Sequence, residues 1–162
     1  MALRHGPDDE AIVARQLGRP ARGDWAVAAR CHLGIPTVIE NHPTSSGEPF
    51  PTLFWLTCPL LVRRASRLEA QGHMRALNLR LGERPELRAR LGVALGRYLA
   101  RRDSLGQISD AGSAPGGGAE RVKCLHAHLA HELVDPPNPV GAETLMLCGY
   151  PDCREPCVGS TR

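Results

Sequence analysis

The sequence predicts an α+β fold, a small antiparallel sheet of about three strands packed with four to six helices. Three observations carry this expectation. Short apolar runs separated by turn residues crowd residues 24–58, and helical stripes of Leu and Ala fill most of the chain beyond residue 59. The length of 162 residues suits a single domain, 1–162, with one core. Aromatic residues are only 4% of the chain, so that core must be built from Leu, Val and Ala.

The first element expected is a helix over residues 8–18. Asp8 can cap it, Asp9 and Glu10 suit its positive end, and Gly18 can stop it before Pro20. Trp25–Cys31 reads as a strand with Trp25, Val27, Ala29 and Cys31 on one face. A tight turn at Leu33-Gly34 leads to a second strand, Pro36–Glu40. A polar loop from Asn41 to Pro51 precedes the strongest strand, Thr52–Cys58. Pro59 ends it. Residues 60–82 read as helical with a break at Gly72, and residues 85–101 as a helix opened by Pro85, with Leu87, Leu91, Leu95, Tyr98 and Leu99 in helical phase. Residues 103–119 read as a flexible Gly-rich loop. A helix over 120–134 follows, then one capped by Asn138 with Pro139 in its first turn, and an irregular Cys-containing tail, 148–162.

Composition excludes several classes. The net charge of +3 is too small to argue for nucleic acid, and such a partner is not expected. No run of about 18 apolar residues is present, so no membrane-spanning helix is expected. The N-terminus lacks the apolar stretch of a secretory signal. A cytoplasmic location follows, where six cysteines do not imply a disulfide framework. Of the 20 basic residues only Lys123 is lysine, the usage of a GC-rich bacterial genome.

The densest chemistry lies in Lys123-Cys124-Leu125-His126-Ala127-His128-Leu129-Ala130-His131-Glu132. On a helix, Cys124, His128 and His131 fall on one side at i, i+4, i+7 spacing, and His126 joins the apolar stripe. Thiolate and imidazole suit zinc, although buried Cys and His more often serve a core. Cys31 and Cys58 lie at strand ends, and the tail reads Cys148-x4-Cys153-x3-Cys157. No C-x2-C pair occurs, which excludes a self-contained zinc ribbon and a thioredoxin-like motif. Any metal site must be assembled from distant segments. Glu40 ends a strand and is a ligand or acid–base candidate, while Arg63, Arg64, Arg67 and Glu69 read as a solvated helix face. No Walker loop, Rossmann fingerprint, serine elbow or HExxH is present.

Several segments carry a family resemblance. They are Phe50-Pro51-Thr52-Leu53-Phe54-Trp55-Leu56-Thr57-Cys58-Pro59, Ser66-Arg67-Leu68-Glu69-Ala70, Val122-Lys123-Cys124-Leu125-His126 with His131, Asn138-Pro139-Val140-Gly141, and Pro156-Cys157-Val158. Together they resemble domain of unknown function 501, a bacterial family common in actinobacteria. The resemblance implies no activity. The family's genes tend to lie near those for enolase, a septum-formation initiator and an exopolyphosphatase, an association without a mechanism. It does imply a constellation of Cys31, Cys58, Cys124 and Cys157 with His126 or His131, the cysteines as ligands for zinc or an iron–sulfur cluster.

The leading expectation is therefore a metal-binding or redox-sensitive domain with a regulatory role. One alternative is an enzyme on a small anionic or phosphorylated substrate, with Lys123 binding the anion and Cys124 or His126 doing the chemistry. Another is a protein-interaction module, linked to cell division, whose Cys and His serve only the core.

Overall fold

A computed structural model describes residues 5–44, 50, 52–108, 114 and 116–158. The elements run α1 (Pro7–Leu17), β1 (Trp25–Arg30), β2 (Pro36–Asn41), β3 (Phe54–Leu56), α2 (Pro59–Ala70), α3 (His73–Glu83), α4 (Pro85–Leu105), α5 (Leu125–Val134) and α6 (Pro139–Cys148). Six helices and a three-stranded antiparallel sheet make an α+β fold, as expected. No helix among the described residues is long and apolar enough to cross a membrane.

The sheet order is β1-β2-β3. β2 is buried along its whole length because it is the central strand. Its partners lie at Val27↔Ile39 and Trp25↔Asn41 on one side and at Val38↔Leu56 and Glu40↔Phe54 on the other. β3 is shorter than the expected Thr52–Cys58. The Leu53 N–H is drawn off by the Tyr98 hydroxyl at 2.6 Å, and Cys58 already caps α2. Glu40 is no exposed strand end either: it is buried against Arg101, which donates to both carboxylate oxygens at 2.7 and 3.1 Å.

The helix punctuation follows local chemistry. α1 starts at Pro7, ahead of the expected Asp8 cap, because the Asp9 carboxylate accepts the Gly6 N–H at 3.0 Å. Gly72, at φ 85°, separates α2 from α3, a left-handed conformation that glycine adopts without strain. Pro85 opens α4 and Asn138 caps α6, both as expected.

Two expectations fail for tertiary reasons. Residues 103–105 belong to α4, and the described part of the Gly-rich segment is seated. Ile108 and Gly117 are buried, and the Gly116 carbonyl accepts from Lys123 N at 2.6 Å. Residues 109–113 and 115 lie outside the described residues. The helix expected from 120 begins only at Leu125. Residues 121–124 form no helix and are instead held from outside: Asn78 bonds both N–H and C=O of Val122, at 2.7 and 2.9 Å.

α5 is the hub. It packs on β3, α2 and α6. Leu129 and Ala130 join Phe54, Leu61, Ala65 and Tyr98 in one apolar cluster, and Leu125 joins Leu77, Leu81, Leu91 and Val140 in a second.

Candidate functional site

The late start of α5 makes Cys124 its N-cap rather than a member of its wheel. The expected face of Cys124, His128 and His131 therefore does not exist. Glu69, near the end of α2, reaches across, and its Oε1 accepts the Leu125 N–H at 2.7 Å, neutralising the positive end of α5. That contact also brings Glu69 to His126.

Three donor atoms meet here. His126 Nδ1 lies 3.1 Å from Glu69 Oε1 and 3.8 Å from Cys124 Sγ, and the ligand atoms of all three residues lie within 4.8 Å of one another. The other ring nitrogen, Nε2, sits 3.1 Å from the Val62 carbonyl and 3.0 Å from Ser66 Oγ. A carbonyl only accepts, so Nε2 carries a hydrogen and Nδ1 faces the sulfur and the carboxylate. The Glu69 carboxylate likewise only accepts, so a proton also sits on Nδ1. The Cys124 sulfur and then the Glu69 charge hold His126 protonated against its burial, raising its pKa to about 9.

Cys124 and His126 border a cleft of about 510 Å³, walled largely by Phe54, Trp55, Leu56, Val62 and Ala127. Glu69 is not among the residues that line it. Lys123 does not share this cleft. It lines a neighbouring one with Arg75, Asn78 and Arg121, so Lys123, Cys124 and His126 are not gathered into one pocket.

The other histidines of α5 face the interior. His128 and His131 are 1% exposed. The Asn138 Nδ2 lies 3.1 Å from His128 Nδ1 and 3.0 Å from His131 Nδ1, while its Oδ1 accepts Val140 N–H and Gly141 N–H. One side chain thus caps α6 and donates to two imidazoles. Each ring must accept through Nδ1, which fixes both as neutral Nε2–H tautomers. His128 Nε2 then donates to the Gly116 carbonyl at 3.1 Å. Burial pushes the His128 pKa down to about 4 and lowers His131 as well. His131 packs tilted against Phe54 and edge-on against Tyr98 and is no part of the Cys124 cluster.

Of the residues expected to form one constellation, only Cys124 and His126 share a close group of donor atoms among the described residues. Cys31 is half-buried, Cys58 buried and Cys157 exposed, and all six cysteines are unbridged. None of those three shares a close group of three ligands with Cys124 among the described residues. Sequence reasoning missed Glu69, which it placed on a solvated face. The available signal was the i, i+4, i+7 stripe of Val62, Ser66 and Glu69 on α2, whose members all touch His126 or its helix.

A profile of the family described as "Protein of unknown function (DUF501)" matches residues 27–146, and the chain belongs to that family. Glu69, Cys124 and His126 lie inside the matched span, whereas Cys153 and Cys157 lie beyond it. No curated protein and no solved structure matches the chain.

Proposed function

We propose that this family member binds zinc through Glu69, Cys124 and His126, with the fourth coordination position open to the apolar cleft. The observation that carries the reading is the convergence of a carboxylate, a sulfur and an imidazole nitrogen on one point. A tetrahedral zinc ion with bonds of about 2.0–2.3 Å sets its donors roughly 3.3–3.6 Å apart. The separations of 3.1 and 3.8 Å bracket that range. His126 Nε2 facing the Val62 carbonyl is the outer contact expected of a ligating histidine, since it fixes the ring and frees Nδ1 for the metal.

Three protein ligands and one open position are the pattern of a working zinc rather than a structural one. A water held there would be activated towards hydroxide, and a small, largely apolar ligand could displace it through one oxygen or sulfur atom. A regulatory use, in which a peroxide oxidises the Cys124 thiolate to the sulfenic acid, is itself reduced to water or an alcohol, and the weakened site releases the ion, rests on the same three residues.

A metal-free cysteine nucleophile is less well supported. In a nucleophile–base–orienter relay the two partners sit on opposite ring nitrogens. Here Cys124 and Glu69 share Nδ1, and Nε2 points at a carbonyl.

The test is zinc content and thiol titration of chain purified without chelator or affinity tag, beside Cys124→Ser and Glu69→Gln. Cys124→Ser should lose one equivalent of zinc while keeping its fold. Unchanged zinc in that variant, with a parent Cys124 that reacts freely in the presence of zinc, would sink the idea. Affinity should also rise with pH up to about 9, because the ion displaces the His126 proton.

A further inference from the structure

The neighbouring cleft, of about 610 Å³, opens between α3 and residues 120–123. Arg75, Arg121 and Lys123 line it, and all three are exposed. None of them forms an ion pair among the described residues. Elsewhere on α3, Arg80 does, with Glu143. One carboxylate lines the cleft, that of Glu120, and it lies 3.9 Å from Arg88 Nε. Three cations against one carboxylate leave an excess of two positive charges in one concave place. Arg75 also stands in the first turn of α3, at the positive end of the helix, and that turn holds no acidic residue.

The cations are held in place before any ligand arrives. Val122, between Arg121 and Lys123, is buried, and Asn78 clamps its backbone through both N–H and C=O. The Lys123 N–H donates to the Gly116 carbonyl at 2.6 Å. Gly117 packs so close that a methyl group there would run into the Arg121 carbonyl. Residues 121–123 are thus pinned from α3 and from the Gly-rich loop. These clamps act on the backbone and leave the charged groups of Arg121 and Lys123 available. A binding segment fixed in advance loses less entropy on association.

The chemistry of the wall narrows the ligand. Lysine offers a compact point charge and arginine a planar fork, and together they suit the oxygens of a phosphate. The charge excess matches a phosphate monoester, which carries about −1.5 to −2 near pH 7. Met74 and Leu79 add an apolar stretch to the same cleft, and Leu79 is 61% exposed. The volume lies in the range of small-molecule sites.

We propose that this cleft binds a phosphate monoester carrying an apolar body, with Arg75, Arg121 and Lys123 on the phosphate and Met74 and Leu79 against the body. The site is one of recognition, and no bond is made or broken there. It shares no residue with the Glu69–Cys124–His126 centre and does not rest on zinc binding at that centre.

The experiment is calorimetric titration of the full chain with phenyl phosphate. Binding should weaken about tenfold or more in Lys123→Ala and in Arg75→Ala. Both changes are at exposed residues outside the core. Glu120→Gln removes a repelling carboxylate and should tighten binding about threefold, which damage to the fold would not do. Diphenyl phosphate, a monoanion, should bind more weakly than phenyl phosphate, and so should inorganic phosphate, which has no apolar body. Equal affinity in the parent, Lys123→Ala and Arg75→Ala would overturn the proposal. Loss of binding in Cys124→Ser with retention in Lys123→Ala would also overturn it, because the phosphate would then sit on the zinc centre. Unchanged affinity in Cys124→Ser supports it, whether or not the parent holds zinc. A short oligonucleotide that binds more tightly than phenyl phosphate would make the cleft a nucleic-acid contact instead.

Discussion

His126 and His128 are two residues apart on the same helix, yet they are held in opposite charge states. His126 meets a sulfur and a carboxylate on Nδ1 and carries a proton to about pH 9. His128 meets an amide N–H on Nδ1 and stays neutral to about pH 4. The difference is not exposure alone, since His126 is itself half-buried. It lies in what faces Nδ1: groups that need a positive charge on one side of α5, and a donor that forbids one on the other. A buried neutral imidazole bonded to the Asn138 amide is a structural joint. A half-buried imidazole at the edge of a cleft, beside a thiol and a carboxylate, is a place for chemistry.

Breaking the inner joint should have the largest effect. Asn138→Ala removes the α6 cap and leaves two buried imidazole nitrogens without a donor. From about 1 kcal/mol for the cap and 1–3 for each orphaned group, a loss of about 4 kcal/mol is expected in urea unfolding. Zinc bound per folded chain should not change. If zinc is lost too, the two sides of α5 are not separable.

Acid tests the same joint without a mutation. The His128 pKa is lowered on folding, so its contribution is complete above the unfolded value of about 6.5. That contribution is lost as pH falls towards about 4, because the unfolded chain takes up the proton first. A shift of this size corresponds to about 3 kcal/mol between pH 6.5 and 4. Urea midpoints measured across that range should fall steeply, and a flat profile would show that His128 is charged in the folded chain.

Gly141→Ala probes how α6 docks on α5. A methyl group at residue 141 would run into the His128 carbonyl and the Glu132 side chain, both on α5. Overpacking against backbone predicts a loss of about 2 kcal/mol, again with zinc retained.

The smallest effect belongs to the outer side. The His126 pKa is raised on folding, so in metal-free protein its contribution is complete below about pH 6.5 and fades as pH rises to about 9, the reverse of His128. Glu69→Gln should weaken this alkaline limb, by less than Cys124→Ser does, and leave the acid limb alone. Equal changes in both limbs would contradict the separation of the two histidines.

Much of the fold was legible because its punctuation is local. Gly18, Gly72, Pro85 and the Asn138-Pro139 pair act on their own backbone, and the elements end where those residues place the ends. The site was legible only in part. Cys124 and His126 stand two residues apart in a segment dense with ligand types, so they were found. Glu69 was not, because its role depends on a contact 56 residues along the chain. The pairing of Cys124 with His128 and His131 failed for the same reason: helical spacing assumes a helix, and Asn78 and Glu69 keep residues 121–124 out of one.

By itself, then, the sequence determined the α+β class, the order of strands and helices, the family and the residue types available for metal chemistry. Those properties follow from periodicity, caps and local segments. Only the tertiary structure decided which histidine is charged and which carboxylate joins Cys124. Charge state and coordination depend on what lies within about 4 Å of an atom, and in a folded chain those neighbours come from segments far apart in sequence.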